Sequence, residues 1–470
     1  MVLGTGTATR VGAPAEVIEV RDPATDELLG VVPAGSEADA DAAVAAARAA
    51  APGWARTAPA ERAAVLKAAA RRLRHHADEL ALLQTREGGK PLGDSRGGVL
   101  AGIETIEQYA ELGPLHRGRS LQGGWGATDL MVHEPRGVAV VLTPWNDPLA
   151  IACGLLAATL VTGNTVVFKP SERTPLSGAR LTELLELPPG VLNLVHGDSR
   201  AGRPLVAHPD VDLVIHVGSL VTGREIAAVC GRTGAKAILE LGGKDALIVD
   251  AGVDPTWAAA QAAAGAFANA GQICTSVERI YVHAAVAEPF VEALVKEAST
   301  LTVGSGLDPT TSMGPLVDHR QRDHVHRQVS EALAAGAVAR TGGILPEGPG
   351  AFYPPTVLTG CTDDMAVLRE ETFGPVAAVR VVASYDEALE AANRSAYGLA
   401  ATVLTPSMEH AQQAWRELAV GTVKVNAVWG GAPGGAAEPH AASGRGFGYG
   451  PELLAEVTTT KVVHLTPPPR

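Results

Sequence analysis

Several stretches of this chain carry residue types that do chemistry, and each has a plainer structural alternative. Gly93-Asp94-Ser95-Arg96-Gly97 fits the Gly-x-Ser-x-Gly pattern that presents a nucleophilic serine. That pattern needs a strand before it and a helix after it. Here Glu87-Gly88-Gly89-Lys90-Pro91 precedes it, a turn between helices, so a hydrolase nucleophile is not expected. The run Gly444-Arg445-Gly446-Phe447-Gly448-Tyr449-Gly450 looks like a phosphate loop but follows no strand, and reads as a flexible loop. His319, His324 and His326 stand among Arg320, Arg322 and Arg327 without metal-ligand spacing, so they read as a solvated helix face, and no metal is expected. Cys153, Cys230, Cys274 and Cys361 are far apart with no Cys-x-x-Cys pair, which gives neither a zinc site nor a disulfide framework. A lone cysteine is usually a small buried hydrophobe, and Cys153 and Cys230 suit that role. Cys274 differs in its setting: it closes Gly271-Gln272-Ile273-Cys274 just after a helix. A cysteine that reaches the thiolate is a soft nucleophile.

Further polar motifs fall at the ends of expected elements. Thr143-Pro144-Trp145-Asn146 ends a strand, and Asp147 then reads as the N-cap of a helix whose first residue is Pro148. Lys169-Pro170-Ser171-Glu172 lies just past another strand. Gly218-Ser219, with Gly223 close behind, follows a strand and opens a helix, where free N–H groups favour anions. Glu240-Leu241-Gly242-Gly243-Lys244 lies at a seam between two halves of the chain, and Glu371-Thr372-Phe373-Gly374-Pro375 precedes a strand. Neither the Gly-x-Gly-x-x-Gly fingerprint nor a Walker A sequence is present.

The elements that must position these residues follow from the apolar pattern. With 470 residues, 46% hydrophobic and 19% charged, the chain can bury a sizeable core. The 53 glycines and 32 prolines are scattered, without low-complexity blocks. A net charge of −13 with no basic stripe argues against a nucleic-acid partner. The longest apolar stretch, residues 149–161, is too short to cross a bilayer, and the first ten residues do not read as a secretory leader, so a cytoplasmic protein is expected. Ser36 and Asp39 form a capping box opening a helix to about Ala51, and a second helix is expected over residues 59–86. Residues 117–135 read as a hairpin leaving the main body. Short apolar runs at 137–142, 165–168, 191–195, 213–217 and 237–241 alternate with helix-length segments. A second such series runs from 246–249 through 279–282, 376–382 and 400–404 to 422–425. Runs of this kind are parallel strands covered on both faces, so two α/β units in tandem are expected, with a cleft at their seam.

Taken in order, these segments resemble the aldehyde dehydrogenase superfamily. The resemblance spans nearly the whole chain, from residues 87–92 to Gly421-Thr422-Val423 and Val425-Asn426. It implies an α/β fold of two tandem Rossmann-like domains and a small β oligomerisation flap. The cofactor-binding domain would be residues 1–116 and 137–240, the catalytic domain 241–448, and the flap 117–136 with 449–470. The implied activity is NAD(P)-dependent oxidation of an aldehyde to an acid. Cys274 would form the thiohemiacetal and thioester, Asn146 and the Cys274 N–H would hold the oxyanion, and Glu240 would be the base for hydrolysis. The structural alternative for Glu240 is an ion pair with Lys244. The cofactor would touch Thr143, Pro144, Trp145, Lys169, Ser171, Glu172, Gly202, Gly218, Ser219, Gly223, Leu241, Glu371 and Phe373. Glu172 would accept the ribose hydroxyls and repel a 2′-phosphate, which favours NAD while leaving NADP open. A homodimer or homotetramer is implied, with a small aldehyde as the other partner.

Departures from the family pattern bear on the substrate. Asp147 stands where an aromatic residue is usual, Gly154 where a bulky one is common, Leu155 where Lys is usual, and His216-Val217 replace an aromatic-Thr pair. Pro439-His440-Ala441-Ala442 replaces a Pro-Phe-Gly-Gly segment. Asp147, Ala150, Ile151, Gly154, Ile273 and Thr275 are the expected substrate contacts, and the small ones suggest a wide approach for a bulky or aromatic aldehyde. Asp147 would alternatively select a cationic aminoaldehyde. Two other readings remain on the sequence: a CoA-acylating semialdehyde dehydrogenase, which Glu240 opposes, and an inactive scaffold, which Leu155 and the altered late segment leave open.

Overall fold

The computed structural model describes residues 16–431 and 435–468. Its apolar runs assemble into two mainly parallel sheets. The first has the order Gly444–Arg445, Lys236–Leu241, Leu213–Gly218, Val138–Leu142, Thr165–Lys169 and Leu192–Leu194, all parallel except the antiparallel edge Gly444–Arg445. Val138–Leu142 and Thr165–Lys169 are buried at every position, as strands sandwiched between helices must be. Their residues alternate between two cores. Ala139 and Val141 pack with the helices Pro59–His75, Leu92–Leu112 and Pro148–Val161, while Val138 and Val140 pack with Glu37–Arg56, Ser199–Ala207 and Leu220–Thr233.

The second sheet has the order Val338–Thr341, Thr356–Thr359, Val376–Val382, Val277–His283, Asp245–Val249, Ala400–Leu404 and Thr422–Val425. Its neighbours are parallel except at the Val338–Thr341 edge. The helices Pro255–Phe267, Ala287–Thr300 and His319–Ala334 cover one face, and Tyr385–Asn393 with Met408–Glu417 covers the other. The mixed α/β architecture is as expected. The two strands at the Val338–Thr341 edge carried no clear apolar run in the sequence.

A separate three-stranded antiparallel sheet pairs Thr458–Leu465 along the whole of Thr128–Pro135, with Arg119–Leu121 beyond. Two helix boundaries differ from the expectation. The span 59–86 is broken at His76 into Pro59–His75 and Ala77–Gly88. The first helix runs on through Pro52 to Arg56, because Trp54 is buried there and donates its indole N–H to the Leu160 carbonyl at 2.9 Å. Ser95 is fully buried in the helix Leu92–Leu112 and bonded to Thr85 and the Lys90 carbonyl, which removes the hydrolase reading. Among the described residues no helix is long and apolar enough to cross a membrane.

Candidate active site

In the first sheet the chain leaves Val138–Leu142 toward Thr165–Lys169 on one side, while Leu213–Gly218 lies on the other. Such a switch point opens a crevice at the carboxyl ends of the strands, where α/β proteins bind ligands. A cavity of about 990 Å³ occupies that place and extends to the turns of the second sheet. Thr143, Pro144, Trp145, Asn146, Lys169, Ser171, Glu172, Gly202, Gly218, Ser219, Glu240, Leu241, Cys274, Glu371 and Phe373 all lie on its wall. Sequence positions more than two hundred apart thus meet in one cleft.

Cys274 stands at the end of a strained turn. Asn269 and Ala270 take φ values of 49° and 55°, and Gly271 follows at 71°. A side chain at Gly271 would place its Cβ 2.1 Å from the Gly374 carbonyl oxygen, so only glycine lets this turn dock on the 371–375 loop. Non-glycine residues in the left-handed region cost about 1 kcal/mol or more each and persist where the surroundings fix them. The Asn146 side chain reaches into this turn, its Nδ2 donating to the Gln272 carbonyl at 3.1 Å, while Asn269 donates back to the Asn146 carbonyl at 3.2 Å. Burial, followed by the carboxylates of Glu240, Asp245 and Glu371, pushes the Cys274 thiol up to about 12. That environment favours the neutral thiol over the thiolate.

Glu240 projects from the end of Lys236–Leu241, and burial raises its carboxyl to about 7, against the lowering effect of one hydrogen bond from the Gly448 N–H at 3.1 Å. That bond overturns the flexible-loop reading of residues 444–450. Gly444 and Arg445 pair with Glu240 and Leu239 as an added strand, and Gly448 grips the carboxylate. Lys244 is not the partner of Glu240: it is fully buried and bonded to Glu278 at 2.6 Å and Thr372 Oγ1 at 3.0 Å.

Glu278 in turn organises the far wall. Its two oxygens accept the N–H groups of Thr372 and Phe373 at 2.8 and 2.7 Å, holding Phe373 at a φ of 50°. Phe373 meets Trp145 edge to face, with ring centroids 5.3 Å apart. Burial and the neighbouring Glu278 raise the Glu371 carboxyl to about 8, and it accepts the Gly243 N–H at 3.1 Å. Gln321 donates to the Thr372 and Phe373 carbonyls, and His324 approaches the Glu371 carbonyl at 3.3 Å. Gln321, His324 and Arg320 all line the cavity, so the solvated-face reading of this helix fails for the side that carries them. Their polar spacing hid them, because no sequence signal marks which side of an amphipathic helix meets a ligand.

The first-sheet side of the cleft has the chemistry of a dinucleotide site. Ser219 caps the helix Leu220–Thr233, accepting the Thr222 N–H at 3.3 Å, and the helix N-terminus opens on the cavity. Lys169 is buried, and burial lowers its ammonium. It donates to the Gly197 and Pro170 carbonyls at 2.6 and 3.1 Å, which leaves one of three N–H groups for a ligand. Thr143 Oγ1 and both ring nitrogens of His216 are buried on the cavity wall without a well-aligned partner. Burial, then Lys169, lowers the His216 imidazole to about 4. Buried polar groups are rarely left unpaired, so these orphans fit a polar ligand. Gly223 lies off this wall, contrary to expectation: it is buried where a Cβ would stand 2.3 Å from Leu241 Cδ2, and it serves helix-to-strand packing.

Of the expected substrate contacts, Ile151 lines the cavity, while Asp147, Ala150, Gly154, Ile273 and Thr275 lie outside its lining. Asp147 occupies the N-cap position of Pro148–Val161 but makes no capping bond. Its carboxylate turns instead to Lys90 Nζ at 3.2 Å. A Cβ on Gly154 would meet only a Thr105 methyl, at 3.4 Å. The other cysteines, Cys153, Cys230 and Cys361, are buried, and burial raises all three thiols. Among the described residues no cluster could hold a metal ion.

The family model described as the aldehyde dehydrogenase family matches residues 11–463. A solved 3,6-anhydro-L-galactose dehydrogenase in complex with NAP is 34% identical, with 96% of each chain covered and a TM-score of 0.93. The betaine aldehyde dehydrogenase of Staphylococcus aureus, in complex with NAD+, is 32% identical over 97% of this chain and 92% of its own, with a TM-score of 0.93. An NADP-dependent enzyme of E. coli is 32% identical over 96% and 95%, with a TM-score of 0.93. A family match over that span, on a fold that brings Cys274, Glu240 and Glu371 to one cleft, makes this chain a member of the aldehyde dehydrogenase family.

Proposed function

We propose that the protein oxidises an aldehyde to its carboxylic acid with NAD(P), through a thiohemiacetal and then a thioester on Cys274, with Glu240 as the base for hydrolysis. The observation that carries this reading is that Cys274, Asn146 and Glu240 share one cavity, with the Glu240 carboxyl raised to about 7. A base of that pKa is divided between its two forms at neutral pH, which suits it to take a proton and return it. The Cys274 thiol gives up its proton to solvent as Sγ attacks the carbonyl carbon, and the carbonyl electron pair moves to oxygen. The Asn146 amide would exchange the Gln272 carbonyl for that oxygen, and the Cys274 N–H would join it. Such donors are worth about 3–4 kcal/mol each. A bound oxidised nicotinamide supplies the hydride acceptor and a positive charge that favours the thiolate. Glu240 then takes a proton from water as the water oxygen attacks the thioester carbon, and Cys274 leaves.

Glu172 on the wall supports a preference for NAD, and the relatives that carry NAD+ or depend on NADP support the wider class. An uncharged aldehyde is favoured over a cationic one, because Asp147 is already paired with Lys90 and lies outside the cavity lining. We place the protein in the cytoplasm as a homodimer or homotetramer built through the three-stranded flap, whose Trp125 and Val462 are exposed. The test is NAD(P)H formation across small, aromatic, cationic and carbohydrate aldehydes, with Cys274→Ala as control and the product analysed with and without CoA. Acid formed without CoA and lost in the variant is expected. Acyl-CoA as the sole product, or turnover surviving in the variant, would overturn the mechanism, and sizing chromatography at monomer mass would overturn the assembly.

A further inference from the structure

Two ion pairs of opposite polarity cross the cleft at its rim. Arg173, on the loop after Thr165–Lys169, places Nε 3.1 Å from Asp318 Oδ2 at the start of the helix His319–Ala334. One step along, the signs reverse: Glu172 Oε1 stands 3.9 Å from Arg320 Nη2. The carboxylates are alike in exposure, but Arg173 is largely buried, whereas Arg320 is 71% exposed. An exposed pair at that separation is weakly held, so Arg320 is free to share its guanidinium with a second anion. Glu172, Arg320, Lys169 and Ser171 line the same end of the cavity, and Arg203 stands there too, 3.5 Å from Glu225.

We propose that Arg320 is the residue through which this site takes a 2′-phosphorylated dinucleotide. The inference rests on the NAD(P) reading above. A carboxylate beside the adenosine ribose accepts its hydroxyls and repels a phosphate ester at the 2′ position. Arginine answers that repulsion: its planar fork of five N–H donors can face Glu172 with one edge and a 2′-phosphate with the other. With an unsubstituted ribose, Glu172 holds the hydroxyls and Arg320 stays its counter-ion. With the phosphate present, Arg320 bridges the two anions, and the exposed Arg203 is within the same wall to add charge.

The experiment is equilibrium binding of NADH and NADPH to the full chain by fluorescence titration, with calorimetric titration of 2′,5′-ADP and 5′-AMP as fragments that need no catalysis. Arg320→Gln is expected to raise the NADPH-to-NADH ratio of Kd values about tenfold, the size of one charge-assisted contact, and to weaken 2′,5′-ADP alike. Glu172→Gln is expected to move the ratio the other way. An unchanged ratio in Arg320→Gln, or a wild-type protein that binds NADH but neither NADPH nor 2′,5′-ADP, would overturn the proposal while leaving NAD use intact. Failure of the wild type to bind either reduced cofactor would overturn the cofactor reading with it.

Discussion

Replacing Gly448 with alanine isolates the placement of the proposed base, Glu240, from its chemistry. The Gly448 N–H holds Glu240 Oε1 at 3.1 Å, and a Cβ built on Gly448 stands 2.2 Å from that oxygen, 2.3 Å from Cδ and 2.7 Å from Cγ. The carboxylate must therefore swing away by roughly 1 Å, a displacement of the kind that costs about a hundredfold in a positioned catalytic group. The obstructing atoms are the free end of a side chain, and the pairing of Gly444 and Arg445 with Glu240 and Leu239 lies on the backbone, so the fold should hold. General-base assistance contributes about a hundredfold to ten-thousandfold, which sets Glu240→Gln as the reference. In stopped-flow mixing with aldehyde and NAD, wild type and Gly448→Ala should both release a burst of NADH near one equivalent per site. Steady turnover should then fall about a hundredfold in the variant. Wild-type steady turnover in Gly448→Ala would refute the clamp. Loss of the burst together with turnover in Glu240→Gln would refute hydrolysis as the step that Glu240 serves.

The proposed role of Glu240 also predicts a pH dependence: kcat should climb as the pH passes about 7, where its carboxylate forms. Its pKa is raised above the usual carboxylate value in the fold, so its contribution to stability is present at low pH and lost as the pH rises through about 7. Glu240→Gln should accordingly raise the melting temperature at pH 8 and leave it nearly unchanged at pH 4, and calorimetry giving the reverse order would refute the sign. Glu278→Ala strands the buried Lys244 charge and frees the Thr372 and Phe373 N–H groups, so urea unfolding should show a loss of about 3–5 kcal/mol. A loss below about 1 kcal/mol would mean the pair is not what holds that loop. Glu87 is buried at the start of the helix Pro175–Leu185 and accepts the Leu176 N–H, the Ser177 N–H and the Ser177 hydroxyl, so Glu87→Ala should cost about 2–4 kcal/mol in the same assay, with near-neutral behaviour counting against its holding that helix end.

Much of this molecule is legible in the order of its residues, because parallel strands buried on both faces must be written as short apolar runs. Val138–Leu142, Thr165–Lys169 and Ala400–Leu404 announce themselves in that way, and the Ser36–Asp39 capping box is a local contact between near neighbours. Cys274, Glu240 and Asn146 were marked by the motifs around them, and the cavity gathers all three. Contacts between distant segments carry no such signal. That Lys244 chooses Glu278, that Asp147 turns to Lys90, and that Gly448 grips Glu240 depend on which loops the two sheets bring face to face. The helix His319–Ala334 shows the reason: its polar residues look alike in sequence, yet Arg320, Gln321 and His324 face the cleft while Asp323 and Arg327 face water. Periodicity tells which side of a helix is apolar, but only tertiary packing decides which polar side meets a ligand.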